Sequence, residues 1–275
     1  MNQYSRKFVL LPLIAALVAQ APAEEVKNPA MDPTKAIDKG VAMPTPLDKF
    51  LALTLLVKTQ KIDWEGVFSA VAVSIDPDKF TDTEVLIPQV LGIRIADGIM
   101  AVQAKDAELL GKAAADIEKL AVKLKVGDSD LARARKVKSL ANEGKWLQVY
   151  SELGFLQQDI MQKLEENPKD QRSSLLMISG WIQGSRYTSR LILAHYSDAS
   201  SNILREPLLV KALIKKNDSL PADVRKMPSV AIISKTLPTL HKIVNIKMDA
   251  AIPKDQVAEV DKLATECVKE IIKVK

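Results

Sequence analysis

The sequence predicts an all-α protein, a tandem duplication of two four-helix units plus a C-terminal helical segment, stacked as helical hairpins around one core. Three observations point there. From Leu47 onward Ala, Leu, Lys, Glu, Gln and Ile dominate, most of them strong helix formers. Apolar residues recur at i, i+3, i+4 and i+7, and no run of strict alternation marks a strand. Two stretches of the chain also repeat each other's residues in order.

The first residues read as an export address. "MNQYSRK" carries Arg6 and Lys7 without an acid, "FVLLPLIAALVA" has no charge, and "QAPAEE" sets Ala21 and Ala23 before a cut. Basic, apolar and small-x-small parts in that order describe a secretory signal peptide over residues 1–23. The apolar run is shorter than the about 20 residues of a membrane span, and no later stretch reads as a span. The expected mature chain starts at Glu24 and is soluble in the periplasm or outside the cell. Residues 24–46 hold Pro29, Pro33, Pro44 and Pro46 with weak periodicity, which reads as a linker.

Start and stop signals then divide the helical part. The first helix is expected over 47–61, and the second starts near Trp64 and ends before "DPDKFTD". The third covers about 84–105. The fourth covers 107–126 and stops at Gly127. The fifth runs over 130–142 and the sixth over 145–166, ending at "NPKD". The seventh spans 171–196, and "SDAS" leads into an eighth near 207–216. A Pro-broken stretch, "MPSVAIISKTLPTLHKIVNI", precedes a last helix from Pro253. Pro88 and Pro238 fall in apolar segments, where each starts a helix in its first turn or kinks one.

The repetition sets the domain reading. Trp64, Val67, Phe68 and Ser69 recur 82 positions on as Trp146, Val149, Tyr150 and Ser151. Gly92, Arg94, Asp106, Ala107, Lys119 and Lys123 recur 92 positions on as Gly184, Arg186, Asp198, Ala199, Lys211 and Lys215. The extra ten residues fall in "MQKLEENPKDQ", where about 15 Å of added helix disturbs a core least. The expected units are 47–127 and 128–219, followed by a C-terminal helical segment, 220–275.

Each repeated residue type suggests a role. Trp64 and Trp146 anchor the starts of their helices. Gly92 and Gly184 lie in apolar helices, where Gly costs about 1 kcal/mol relative to Ala, so close approach of a crossing helix should offset it. Gly98 and Gly180 fit the same reading. Arg94 and Arg186 sit in segments made for burial, and a buried Arg needs acids or carbonyls. Asp106 and Asp198, which begin the next helices, are the expected clamp partners. The second copy carries a denser polar set, and Arg186, Arg190, His195, Tyr196 and Asp198 form the candidate ligand-binding face.

Several functions are excluded by pattern. The formal charge of +5 falls to +3 once Arg6 and Lys7 leave with the signal. The bases are interleaved with acids and aromatics are only 4%, so a nucleic-acid surface is not expected. The one cysteine, Cys267, lies on the apolar stripe of the last helix and reads as a small buried hydrophobe. His195 and His241 stand in no zinc-binding spacing, so no metal site is expected, and no cofactor motif occurs. "SGWIQGS" places Ser179 within a helix, without the strand-to-helix turn of a nucleophile elbow. The expectation is an exported helical binding or scaffold protein, without catalytic activity, that engages a protein or peptide partner. The alternative is a small-anion receptor or enzyme using the Arg186, Arg190, His195 and Asp198 face.

Overall fold

The computed structural model describes residues 65–126, 128–166, 171–247 and 250–273. The expected signal peptide, the linker, the helix over 47–61 and Trp64 lie outside those residues. Among the described residues there is no strand, and nine helices of seven residues or more pack together.

In chain order these are α1 (Glu65–Val71), α2 (Leu86–Ala104), α3 (Ala107–Lys123), α4 (Asp128–Asn142), α5 (Trp146–Glu165) and α6 (Arg172–Ala194). After the short α7 (Asp198–Ser201) come α8 (Pro207–Asp218), the short α9 (Ala222–Arg225), α10 (Pro228–Val244) and α11 (Lys254–Ile271). The boundaries follow local chemistry. Asp82 Oδ1 takes the N–H groups of Glu84 and Val85 at 2.9 and 3.0 Å ahead of α2. Asp106 caps α3 by accepting from the Leu109 N–H at 2.9 Å. Gly144 supplies the positive φ, 69°, that turns α4 into α5. Pro207 and Pro228 open their helices in the first turn, where a missing N–H costs nothing. Pro88 also falls in a first turn, whereas Pro238 stands inside α10.

The centre of the molecule is the pair α2 and α6. It is the most extensive helix contact, with α3 packed on α2 and α11 on α6. Helix α2 is mostly apolar and is buried from Ile87 to Val102, with Gln89, Arg94 and Asp97 enclosed among its apolar residues. By length and composition it could cross a membrane, contrary to the reading of the sequence alone, but 89% of it is buried inside the fold. The α4–α5 hairpin closes a second cluster, in which Val137, Leu140, Val149 and Leu153 meet Ala101, Val102 and Leu110. Trp146 is half-buried against that cluster, as a helix-start anchor should be.

The crossing of α2 and α6 corrects one expectation. A Cβ on Gly92 would stand 2.1 Å from the Leu176 carbonyl oxygen and 2.5 Å from Ser179 Oγ. The residue facing it is Gly180, where an added Cβ would lie 3.2 Å from the Gly92 oxygen. A Cβ on Gly184 would meet no other element within 4 Å among the described residues. Gly92 and Gly184 therefore do not occupy equivalent places: close approach requires Gly92 and Gly180, and Gly184 lies one turn beyond the contact.

Candidate functional site

Two places on the molecule combine distinctive chemistry with defined geometry. The first is a buried polar network at the α2–α6 crossing. Arg94 is only 2% exposed. Its Nη1 donates to Asp97 Oδ2 at 2.5 Å and to the Val73 carbonyl at 3.0 Å, and its Nη2 lies 2.9 Å from Asp116 Oδ2 on α3. Asp97 is fully buried and also accepts from Gln183 Nε2 at 2.6 Å, Tyr187 Oη at 2.8 Å and the Val73 N–H at 3.4 Å. On the other side of the strap, Arg186 Nη1 donates to the Val71 carbonyl at 2.7 Å and its Nε to Thr265 Oγ1 of α11 at 3.1 Å.

These bonds give the network its electrostatics. Burial pushes the Asp97 carboxyl above the ordinary carboxylate range, while Arg94, Gln183 and Tyr187 pull it back. With Arg94 at 2.5 Å and three further donors converging on it, the carboxylate is the form that fits. Burial and the Asp97 charge together push the Tyr187 hydroxyl well above its usual range. Among the described residues Arg94 Nε and Gln183 Oε1 are buried and meet no hydrogen-bond partner. What the network achieves is positional. It fixes Val71 to Val73, the strap joining α1 to α2, across the crossing of the two central helices.

The sequence-derived partners of the arginines need correction. Arg94 is held by Asp97 and Asp116, not by Asp106, because Asp106 is engaged as the N-cap of α3. Arg186 is held by a carbonyl of the first expected unit and a threonine of the C-terminal segment, not by Asp198. Asp97 carries the network, and the sequence reading missed it. The signal was present as an acid three residues after Arg94 in an apolar helix, one turn away on the same face.

The candidate ligand face is divided among internal tasks. Arg190 Nε donates to Asp261 Oδ1 of α11 at 2.6 Å. Tyr196 Oη donates to the Ile252 carbonyl at 2.9 Å and lies 3.4 Å from Asp198 Oδ1. His195 is the exposed C-cap residue of α6. Asn202, Arg205 and Ser201 add bonds to the carbonyls of Ala250 and Ile246 and to the Ile252 N–H. The structure thus brings Arg186 and Arg190 onto α11, and it places Tyr196 against the connection between α10 and α11. Among the described residues no group of three or more His, Cys, Asp or Glu is placed to hold a metal ion.

The second place is the outer face of α5. Leu147, Ser151, Phe155, Gln158 and Gln162 are exposed and follow one another at spacings of four, four, three and four. That spacing puts them on one line along the helix. The line carries no charge. Leu147 is 81% exposed and Phe155 50%, the two largest apolar exposures on this helix. The Arg133 guanidinium stands 5.1 Å from the Phe155 ring centroid and bonds Asp159 and Glu152 at 2.7 and 3.1 Å. Lys136 adds a 2.6 Å bond to Glu152. An uncharged line is therefore flanked, on the side of α4, by a ladder of ion pairs.

No family model matches this chain, and no curated protein or solved structure matches it.

Proposed function

We propose that this chain is an exported, non-catalytic helical binding or scaffold protein that engages a protein or peptide partner through the outer face of α5. The observation that carries the reading is the uncharged line of Leu147, Ser151, Phe155, Gln158 and Gln162. Single exposed apolar residues are ordinary on any surface. Two large ones on one helix line, with only neutral residues between them and charges at the flank, have the anatomy of an interface core with a polar rim. Phe155, with the Arg133 guanidinium 5.1 Å from its ring centroid, is an exposed aromatic side chain that a partner would bury. The alternative reading, a small-anion receptor or enzyme at Arg186, Arg190, His195 and Asp198, has less support. Arg186, Arg190 and Tyr196 already bond groups of α11, the strap and the Ile252 carbonyl.

Export rests on the N-terminal sequence, with cleavage after Ala23 and a final place in the periplasm or outside the cell. The order-preserving matches between 47–127 and 128–219 support descent from a tandem duplication, with 220–275 added. Gly92 and Gly184 differ in surroundings, as do Arg94 and Arg186 in partners, and both pairs speak against it.

One experiment addresses both binding and export. The protein is purified from its own host after mild cross-linking, as wild type and as Leu147→Glu/Phe155→Glu. The wild type should begin at Glu24 and carry a cross-linked protein or peptide that the double variant has lost. A start at Met1 would exclude export, and equal cross-linking of the two proteins would remove the α5 face from the proposal.

A further inference from the structure

We infer that the outer face of α10 docks on an anionic lipid bilayer, held by electrostatic attraction without insertion. The inference does not depend on how the α5 face is used. Residues 224–248 hold Arg225, Lys226, Lys235, Lys242 and Lys247 and no acid, and Asp223 and Asp249 bound the stretch. All five cations are exposed. Among the described residues none of the five pairs with an acid. On α3 and α4 the pattern is the opposite: Lys112 pairs with Glu108, Lys119 with Asp78, Arg135 with Glu118 and Lys136 with Glu152. Around α10 the positive field is therefore left unbalanced toward solvent.

The fold presents this charge along a ridge. Helix α10 packs on α8 and α11, and its remaining side exposes Pro228, Lys235, Pro238, Thr239 and Lys242. Lys235 and Lys242 stand two turns apart on one line. Arg225 and Lys226 precede the helix and Lys247 follows it. Positive charge thus runs the length of α10, about 26 Å, and past both of its ends.

Three features select a charged bilayer among anionic partners. The exposed face of α10 carries no large apolar side chain, whereas a protein interface has an apolar core and is depleted in Lys. No Phe, Tyr or Trp stands in 224–248, so the bases of a nucleic acid would find no stacking platform. Four of the five cations are lysines. These are hydrated point charges on flexible stems, suited to many mobile headgroups rather than to one bidentate site. Each such charge beside an anionic leaflet favours binding by about fivefold.

The test mixes the expected mature chain, from Glu24, with vesicles of phosphatidylcholine, either alone or with about a third phosphatidylglycerol, and reads the bound fraction by co-sedimentation. The chain should bind the anionic vesicles at about 0.1 M salt and leave them at about 1 M, as the Debye length falls from about 10 Å to about 3 Å. Lys235→Gln/Lys242→Gln should lower the partition coefficient about 25-fold, with unchanged circular dichroism and Tm. Lys112→Gln/Lys119→Gln removes the same net charge from paired sites on α3, and it should change the coefficient by well under about fivefold.

Failure to bind the anionic vesicles overturns the inference, as does equal binding to both kinds. Binding that survives high salt does the same, and equal losses in the two double variants would reduce the effect to net charge. Soluble polyaspartate that binds more tightly than the vesicles at equal charge concentration would make an acidic protein the occupant and would also overturn the bilayer.

Discussion

Arg94 and Arg186 each follow a glycine by two residues in a central helix, and a substitution strands different groups at each. Removing Arg94 leaves Asp97 fully buried and Asp116 largely so without their cation. Breaking a buried pair from one side costs about 3–5 kcal/mol. Removing Arg186 leaves a carbonyl and a hydroxyl, whose bonds to a charged donor contribute about 1.5–3 kcal/mol. Lys262 is 63% exposed and should cost well under 1 kcal/mol. Urea denaturation of Arg94→Met, Arg186→Met and Lys262→Met should therefore give losses in that order. Equal losses for the two arginines would mean that Asp97 is not the group that Arg94 satisfies. The burial of Arg94 was legible from its apolar neighbours. Its second partner was not, because Asp116 stands 22 residues on in the next helix, and only the fold brings it to Arg94 while Asp106 caps α3.

At the scale of elements, the helix list was largely legible. Periodicity and caps depend on neighbours within a few residues, so the expected segments at 84–105, 107–126, 145–166 and 171–196 enclose α2, α3, α5 and α6. Which glycine serves a crossing is not local. Gly92→Ala would drive a methyl into a helix carbonyl 2.1 Å away and into Ser179 Oγ. Separating α2 and α6 to admit it should cost at least about 3 kcal/mol. Gly184→Ala meets no other element within 4 Å among the described residues, and better helix propensity should stabilise it by up to about 1 kcal/mol. Thermal melts of the two variants should move in opposite directions. A stabilising Gly92→Ala would show that the two helices do not touch there.

The molecule is organised by one main core that takes residues from α1, α2, α3, α5, α6, α8, α10 and α11, Phe68 to Ile271. Such a core should unfold in one step despite the two-unit pattern of the sequence. Cys267 can report it. The thiol is 0% exposed, and burial pushes its pKa up to about 11. At pH 8 roughly one molecule in a thousand would carry the thiolate. Alkylation should thus be negligible in the native protein and should rise with the same urea midpoint as the loss of helix signal. Labelling that begins at lower urea would show α11 detaching first and would end the one-step description.

By itself the sequence determined the class of the fold, most of the helices, and the burial of Arg94 and of Cys267. Each depends on residue type and helical spacing, which act over a turn or two. Only the tertiary structure decided that Gly92 faces Gly180, that Arg94 belongs to Asp97 and Asp116, and that the polar residues after Tyr187 serve α11 and its approach. Apart from Arg94 with Asp97, one turn away, those pairings join residues far apart in the chain. Several acids and glycines satisfy the local pattern equally well, and the three-dimensional crossing of α2 and α6 selects among them.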